Sequence, residues 1–149
     1  MEWTTHALSG LTAGYLVTND WRGAVIGAVA SVIPDLDEPK SKFGRPFFFI
    51  SIPINLLIGH RTFTHSLLFA LLMGVIVYPF SPLLSLATTT GIAAHILGDM
   101  LTGRVQLLYP LENKVGIKVS RFSYTVIDMF TRAALSVLIA LVIWKDIFN

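Results

Sequence analysis

The sequence predicts an all-α fold: a polytopic membrane helical bundle that forms a single domain over residues 1–149. The chain is 54% hydrophobic and only 13% charged, whereas soluble domains are about a quarter charged. Its mean hydropathy is +0.69. Six apolar segments follow one another within a length that suits one domain. These observations indicate that lipid forms part of the solvent around this protein.

The first two apolar segments, residues 7–17 and 23–33, are short and rich in Gly, Ala, Ser and Thr. Residues 18–21 form a polar break between them. Small residues let helices approach closely where lipid supplies no hydrophobic drive for association. We therefore expect these segments to pack as a short helical hairpin.

Residues 63–80 and 83–101 approach the length of about 20 apolar residues that a membrane span needs. The turn at residues 79–82 joins them, so they are predicted to form a second hairpin. The last segment, residues 126–148, has charged residues near both ends and Trp144 near its end, which is typical of an interfacially anchored span.

Residues 47–58 are apolar but too few for a span, and Pro53 interrupts them. A length of about 10 to 14 residues suits a re-entrant or interfacial piece. The prediction is therefore about four to five membrane-embedded helices plus one short re-entrant or interfacial segment.

This arrangement sends the N-terminus, residues 34–62 and residues 101–124 to one side of the membrane. Eight basic residues lie on that side: Lys40, Lys42, Arg45, Arg61, Arg104, Lys114, Lys118 and Arg121. The positive-inside rule makes this side cytoplasmic. We expect a multi-pass protein of a bacterial or archaeal cell membrane, with its functional site facing the cytoplasm.

The composition excludes several classes of site. The chain has no cysteine, so any metal must be held by nitrogen and oxygen. The net charge of +2, without a basic run that alternates with aromatic residues, argues against a nucleic-acid partner. No serine-hydrolase elbow, phosphate-binding loop, dinucleotide fingerprint or His-Glu-x-x-His sequence occurs.

All four histidines, and several acids, lie near helix ends that the predicted topology sends to one face. Four separate segments contribute them, so the side chains are expected to converge. Imidazole and carboxylate groups together form sites for divalent metals. The predicted metal ligands are His6, Asp35, His65, His95 and Asp99.

His95 and Asp99 are four residues apart, which places them on one face of a helix. The simpler alternative is a packed core histidine bonded to a backbone carbonyl. Ionisable groups inside apolar segments are costly unless they are paired or functional. The nearby acid therefore favours a functional role for His95.

Asp35 and Asp37 lie between Pro34 and Pro39. If the prolines hold this stretch extended, both carboxylates point to the same side. The alternative is a helix stop with solvated acids. Because the stretch directly follows an apolar segment and faces the histidine-rich ends, binding of a cation is favoured.

His60 and His65 are five residues apart, so a continuous helix would separate them by more than about 100°. Only His65 is then expected to be a direct ligand. Thr64 and Ser66 are predicted to cap a helix or to bond neighbouring groups. The planar guanidinium of Arg61 suits phosphate or carboxylate, although contact with lipid headgroups explains it equally well. Asp37, His60 and Arg61 are the predicted catalytic residues, and in the alternative Asp37 and His60 are ligands of another ion.

Several short stretches, taken in order, resemble one family: Thr5-His6, Pro34-Asp35-Leu36-Asp37, the run from Gly59 to Ser66, His95-Ile96-Leu97-Gly98-Asp99-Met100-Leu101-Thr102 and Tyr109-Pro110-Leu111. Together they resemble the bacterial and archaeal membrane-bound metal-dependent hydrolases of the YdjM family. The resemblance covers about residues 4–111. It implies a multi-helix membrane fold and a hydrolase activity, and it does not imply a substrate.

The sequence therefore predicts a metal-dependent hydrolase that uses a metal-activated water. One or two divalent ions are expected, with Zn²⁺ preferred and Mn²⁺ or Fe²⁺ as alternatives. The expected partner is membrane lipid, and a phospholipid or lipid phosphate is the expected amphiphilic substrate. The alternative is a non-catalytic membrane protein with a His/Asp metal site, either a cation carrier or a metal-stabilised scaffold.

Overall fold

A computed structural model describes residues 1–148 of the chain, apart from the side chain of Ile58. Helices dominate this part of the chain, as expected for an all-α protein. Six α-helices follow in order: α1 Trp3–Thr18, α2 Trp21–Ala30, α3 Phe48–Ile58, α4 Leu67–Val77, α5 Pro82–Thr102 and α6 Arg121–Phe148. Two short 3₁₀ helices, Pro34–Asp37 and Phe63–His65, precede α3 and α4 respectively.

The predicted first hairpin is present as α1 and α2, which pack against α5 through glycines. A β-carbon built on Gly14 would lie 2.2 Å from the carbonyl oxygen of Gly23, and one on Gly91 would lie 2.4 Å from that of Gly27. Real side chains do not tolerate such distances. The three helices therefore approach backbone to backbone, as the small residues of these segments indicate.

The second predicted hairpin is present as α4 and α5, but α4 has only 11 residues, so it is shorter than the predicted segment 63–80 and too short for a span. Each helix begins at a serine cap: Ser66 Oγ accepts from the N–H of Phe69, and Ser81 Oγ accepts from that of Leu84. The caps fix where the two helices start. Because α5 contacts α1, α2 and α4, its C-terminal end lies at the centre of the bundle.

The segment around Pro53 differs from the prediction, because α3 continues through this proline. Proline removes the single N–H that would bond to the carbonyl of Phe49, and the rest of the helix remains. With 11 residues, α3 is still too short for a span. Its apolar side chains are largely exposed.

The connection between α5 and α6 contains a feature that was not predicted. Strands β1 Arg104–Val105 and β2 Val115–Gly116 form a small antiparallel pair, with Arg104 opposite Gly116. The connection also bonds back to the bundle, because the N–H of Gln106 donates to the carbonyl of Arg61 at 3.1 Å. It therefore packs beside the segment that carries His60 and His65.

Among residues 1–148, α6 is the one helix that is both long and apolar enough to cross a membrane. It begins at Arg121, earlier than the predicted Val126. The helix is fastened to the bundle near both ends: Asp128 accepts from the N–H of Glu2 at 2.8 Å, and Asp146 accepts from the indole N–H of Trp21 at 3.0 Å. Most of its apolar side chains are exposed.

Candidate metal centre

The predicted ligands come together at one end of the bundle. His6 lies in the first turns of α1, Asp35 lies in the first 3₁₀ helix, and His65 ends the second one. His95 and Asp99 lie near the end of α5, one turn apart. His65 and His95 have no exposed surface, and His6 and Asp99 are almost completely buried.

The centre of this cluster is a pair of facing imidazoles. The Nε2 atoms of His65 and His95 are 3.1 Å apart. One oxygen of Asp99 lies 3.5 Å from the Nε2 of His65, and one oxygen of Asp35 lies 3.8 Å from that of His95. In a tetrahedral site with bonds of about 2.0–2.1 Å, neighbouring ligand atoms are about 3.3 Å apart. Ligand atoms of Asp35, His65 and His95 lie within 4.8 Å of one another, a spacing that suits one metal ion, and Asp99 lies beside His65.

His6 adds a fifth donor beside this pair. Its ring stacks on that of His95 with centroids 3.8 Å apart, and its Nε2 lies 3.3 Å from Asp99. Among the described residues, the Nδ1 atoms of His6 and His95 are buried without a hydrogen-bond partner, and the Nε2 of His6 has only its ion-pair contact with Asp99. Buried polar atoms are normally paired. Unpaired imidazole nitrogens around carboxylates are what a metal-binding donor set requires, so these residues fit a divalent ion.

Asp37 forms the other side of the cluster. Its carboxylate lies 2.7 Å from the Nδ1 of His60 and 3.3 Å from the Nδ1 of His65, and it accepts a hydrogen bond from the hydroxyl of Thr64. Thr64 Oγ1 is also 3.0 Å from the Nδ1 of His65. A carboxylate on the far nitrogen of a metal-binding histidine orients the ring. Thr64 was predicted to bond a neighbouring group, and that group is the carboxylate of Asp37.

The donors form three overlapping groups that could each hold an ion. These groups are His6, His95 and Asp99; Asp35, His65 and His95; and Asp37, His60 and His65. Within each group the ligand atoms lie within 4.8 Å of one another. The first and third groups share no residue, which leaves room for two ions.

The charges around the cluster change the proton affinity of its outer members. Burial raises the pKa of Asp35 above its usual range, although the charge of His6 opposes this. Burial alone would also raise the pKa of Asp37, but hydrogen bonds with His60 and His65 hold it well below its usual range. For His65, burial favours the neutral ring, yet bonds with Asp37 and Asp99 raise its pKa to about 9. The metal-free cluster therefore holds a proton on His65 at neutral pH.

Two local expectations were wrong. Residues 34–37 form a 3₁₀ helix instead of an extended stretch, so Asp35 faces His95 while Asp37 faces His60 and His65. The His60–His65 stretch is not a continuous helix, and the two rings meet edge to face with centroids 5.2 Å apart. The angular separation expected from a helix does not apply.

Arg61 lies between the cluster and the surface. Its Nε is 3.0 Å from Asp99, and its side chain is 27% exposed. Its backbone has φ of 61°, a left-handed conformation that costs an arginine about 1–3 kcal/mol. The surrounding contacts hold it there, since its N–H points to Asp37 and its carbonyl accepts from Gln106.

A cavity of about 290 Å³ opens beside Arg61 and reaches the cluster. Basic and acidic side chains line it together, among them Lys40, Lys42, Arg61, Asp35, Glu38 and His60. The cavity connects the edge of this His/Asp cluster to the outside. A small polar group can therefore reach Asp35 and His60 from this side, whereas Asp99 is almost completely buried.

Two residues near the site were not expected from the sequence. Asn55 of α3 donates to the backbone carbonyl of Asp37 at 2.8 Å. An amide within an apolar segment was the available signal for it. Gly103 packs directly against the guanidinium of Arg61, and no local pattern indicates this contact.

Comparisons with known proteins identify the family of this chain. The model of the YdjM inner membrane protein family matches residues 1–148. The chain is 36% identical over 118 residues to the uncharacterized protein YvsG of Bacillus subtilis (strain 168), which covers 74% of each chain. It is 42% identical over 104 residues to the inner membrane protein YdjM of Escherichia coli (strain K12), with 64% of this chain and 53% of the relative covered. The YdjM protein of Shigella flexneri gives the same values.

The match thus spans about half the length of the two YdjM relatives. No solved structure matches the chain. The family match confirms both the resemblance drawn from the short stretches and the membrane location, because the family is one of inner membrane proteins. The chain belongs to the YdjM inner membrane protein family.

Proposed function

We propose that this protein is a membrane-bound metal-dependent hydrolase. The observation that supports it best is the facing pair of His65 and His95, whose Nε2 atoms are 3.1 Å apart beside the carboxylates of Asp35 and Asp99. Buried ionisable groups at helix ends are costly without a function. A cavity gives this cluster access to a ligand.

The residues that would hold the ion are His65, His95, Asp35 and Asp99, with His6 as a fifth donor. A set of imidazoles and carboxylates without thiolates suits Zn²⁺, with Mn²⁺ and Fe²⁺ as alternatives. A bound ion would lower the pKa of a water and polarise a substrate oxygen. In a two-ion arrangement, His6, His95 and Asp99 would hold one ion, and Asp37, His60 and His65 would hold the other.

The remaining residues orient groups and move protons. Asp37 is fully buried and bonds to both His60 and His65, so it is placed to fix the orientation of both rings. The side chain of His60 is 31% exposed and lines the cavity. A histidine held by a carboxylate and open to the ligand is suited to accept or donate a proton. His60 is thus the proposed acid–base residue.

The proposed substrate is a phosphorylated amphiphile, such as a phospholipid or a lipid phosphate. Lys40, Lys42 and Arg61 line the cavity, and planar guanidinium groups bind phosphate well. Large apolar side chains are exposed on α2, α4 and α6, including Val29, Leu71 and Leu141. Such surfaces suit lipid contact, which supports a multi-pass arrangement with the cavity at the level of the headgroups.

A specific observation also favours a non-catalytic scaffold. His6, His65, His95 and Asp99 are all nearly inaccessible, as in a closed structural metal site. A structural site uses every coordination position for protein ligands, whereas a catalytic site keeps one open. A cation carrier is less favoured, because carriers usually bind near the bilayer midplane and these residues lie at helix ends.

The test combines metal analysis with a hydrolysis assay on protein purified in detergent. We expect the wild-type protein to contain zinc and to release phosphate from dodecyl phosphate. His95→Ala should lose both metal and activity, whereas His60→Ala should keep metal and lose activity. Asp146→Asn is the matched control, because this carboxylate contacts Tyr15 and Trp21 away from the cluster. Metal-containing protein that cleaves no phosphate ester would support the scaffold instead.

A further inference from the structure

The carboxylate of Asp99 has two cationic partners: the N-terminal ammonium of Met1 lies 2.7 Å from its Oδ1, and Arg61 lies at its Oδ2. The Nε of Arg61 lies 3.0 Å from Oδ2 of Asp99, and this is the same oxygen that faces His65. A guanidinium and a divalent ion cannot both occupy that position without strong repulsion. Arg61 therefore occupies a place that a metal ion would need.

The position of Arg61 is built into the fold. A β-carbon on Gly103 would lie 2.1 Å from Nη1 of Arg61, so the missing side chain makes a slot for the guanidinium. Gly103 has φ of −176°, an extended conformation open to any residue, so the backbone does not require glycine here. The left-handed backbone of Arg61 directs the side chain into this slot at an energetic cost.

The side chain of Arg61 can move outward into the cavity of about 290 Å³, which Arg61 lines together with Lys40 and Lys42. Two exposed lysines and a partly exposed arginine form its cationic part. Acidic groups, Glu2 and Glu38 among them, also line the cavity. If the guanidinium of Arg61 moved outward, it could pair with these carboxylates before an anion binds.

We propose that Arg61 is an exchangeable counter-ion: without metal it pairs with Oδ2 of Asp99, beside the N-terminal ammonium on Oδ1, and when Asp99 becomes a metal ligand it moves into the adjoining cavity to bind a phosphate-class oxyanion with Lys40 and Lys42. This rests on the proposed metal centre and adds to it an order of events. The oxyanion subsite forms only after the metal site is filled. A free phosphate and a lipid headgroup carry the same oxyanion chemistry.

Three variants of the full-length protein in detergent test this exchange. Arg61→Gln removes the competing charge. Gly103→Ala keeps the charge but obstructs the slot beside Asp99, and a guanidinium can shift because it is the flexible end of its side chain. Arg104→Gln is the matched control, since it removes a neighbouring exposed cation that does not line the cavity.

Zinc affinity is measured by competition with a chromophoric chelator. A nearby charge changes the affinity of a carboxylate for a proton by roughly one to three powers of ten, so we expect Arg61→Gln and Gly103→Ala to raise zinc affinity by about tenfold or more. Arg104→Gln should leave it unchanged. A loss of zinc affinity in Arg61→Gln, or no change in either variant, overturns the exchange.

Binding of inorganic phosphate and of dodecyl phosphate to the zinc-loaded protein is measured by calorimetry. Arg61→Gln should weaken both by about tenfold or more, the loss expected for one charge-assisted pair. Tighter binding of dodecyl phosphate than of inorganic phosphate identifies a lipid headgroup as the source of the oxyanion, and equal affinity identifies free phosphate. Unchanged phosphate binding in Arg61→Gln overturns the subsite.

The outcome is separable from that of the hydrolase proposal. If Arg61→Gln raises zinc affinity and weakens phosphate binding, while the wild-type protein cleaves no ester, the exchange stands and the hydrolase proposal fails. If the wild-type protein binds no zinc, both proposals fail.

Discussion

Replacing Thr64 with valine tests whether the carboxylate beneath His65 supports metal binding. Valine has nearly the same shape as threonine but lacks the hydroxyl that donates to Asp37. Thr64 is buried, so water cannot easily replace the lost group. The same Asp37 oxygen would keep only longer contacts, with the N–H of Arg61 at 3.4 Å and the Nδ1 of His65 at 3.3 Å.

The size of the effect follows from these contacts. A buried acceptor that loses its donor costs about 1–3 kcal/mol. Changes to groups that orient metal-binding histidines weaken metal affinity by about 10- to 100-fold, which corresponds to about 1.4–2.8 kcal/mol. We therefore expect Thr64→Val to weaken zinc binding by about 10- to 100-fold.

The assay is competition with a chromophoric chelator, with the Tm in detergent measured in parallel. Thr64→Ser keeps the hydroxyl and should bind zinc nearly as the wild type does. Ser66→Ala removes another hydroxyl of the same segment, which caps α4 without touching Asp37, and should lower the Tm without changing zinc affinity. Wild-type zinc affinity in Thr64→Val would refute the orienting role of Asp37.

Three further predictions concern protons, packing and topology. Because the pKa of His65 is raised to about 9, the metal-free protein holds a proton there at pH 7.5, and zinc binding should release about one proton. Zinc affinity should accordingly rise with pH up to about 9 and then level off. Proton release is measured by calorimetry in buffers of different ionisation enthalpy. A binding enthalpy that does not depend on the buffer would contradict this prediction. Gly27→Ala should lower the Tm of the detergent-solubilised protein or prevent folding, because its β-carbon would lie 2.3 Å from the carbonyl of Gly10 and overpacking costs about 1–3 kcal/mol; an unchanged Tm would contradict the close approach of α1 and α2. Cysteines placed at Ser41 and Ser81 of this cysteine-free chain should react oppositely with a membrane-impermeant thiol reagent in intact cells. Labelling at position 81 alone is expected for a cytoplasmic site, and labelling at position 41 alone would overturn that topology.

The convergence of the predicted metal ligands could be foreseen because it depends on connectivity. Two helical hairpins with short turns return their outer ends to one face, so His6 and Asp35 meet His95 without any knowledge of side-chain packing. The candidate ligands at these helix ends could be recognised in the sequence because ionisable groups are rare in apolar segments. The small residues in α1 and α2 similarly indicated close helix packing.

The local geometry could not be predicted, because it depends on contacts between distant residues. Periodicity separates helices from strands but gives no signal for a 3₁₀ turn of four residues, which decides where Asp35 and Asp37 point. The slot at Gly103 exists only because the segment carrying Arg61 folds against the end of α5. Pairing of Val105 with Val115 likewise requires a fold that no short pattern encodes.

The contacts between glycines have a consequence for how this protein can vary. Where Gly14 meets Gly23 and Gly27 meets Gly91, the distance between helices is set by main-chain atoms, which have no rotamers to change. The relative placement of His6 and His95 thus depends little on the outward-facing side chains of the same helices. Those positions can change to match bilayers of different thickness or composition while the ligand geometry is preserved.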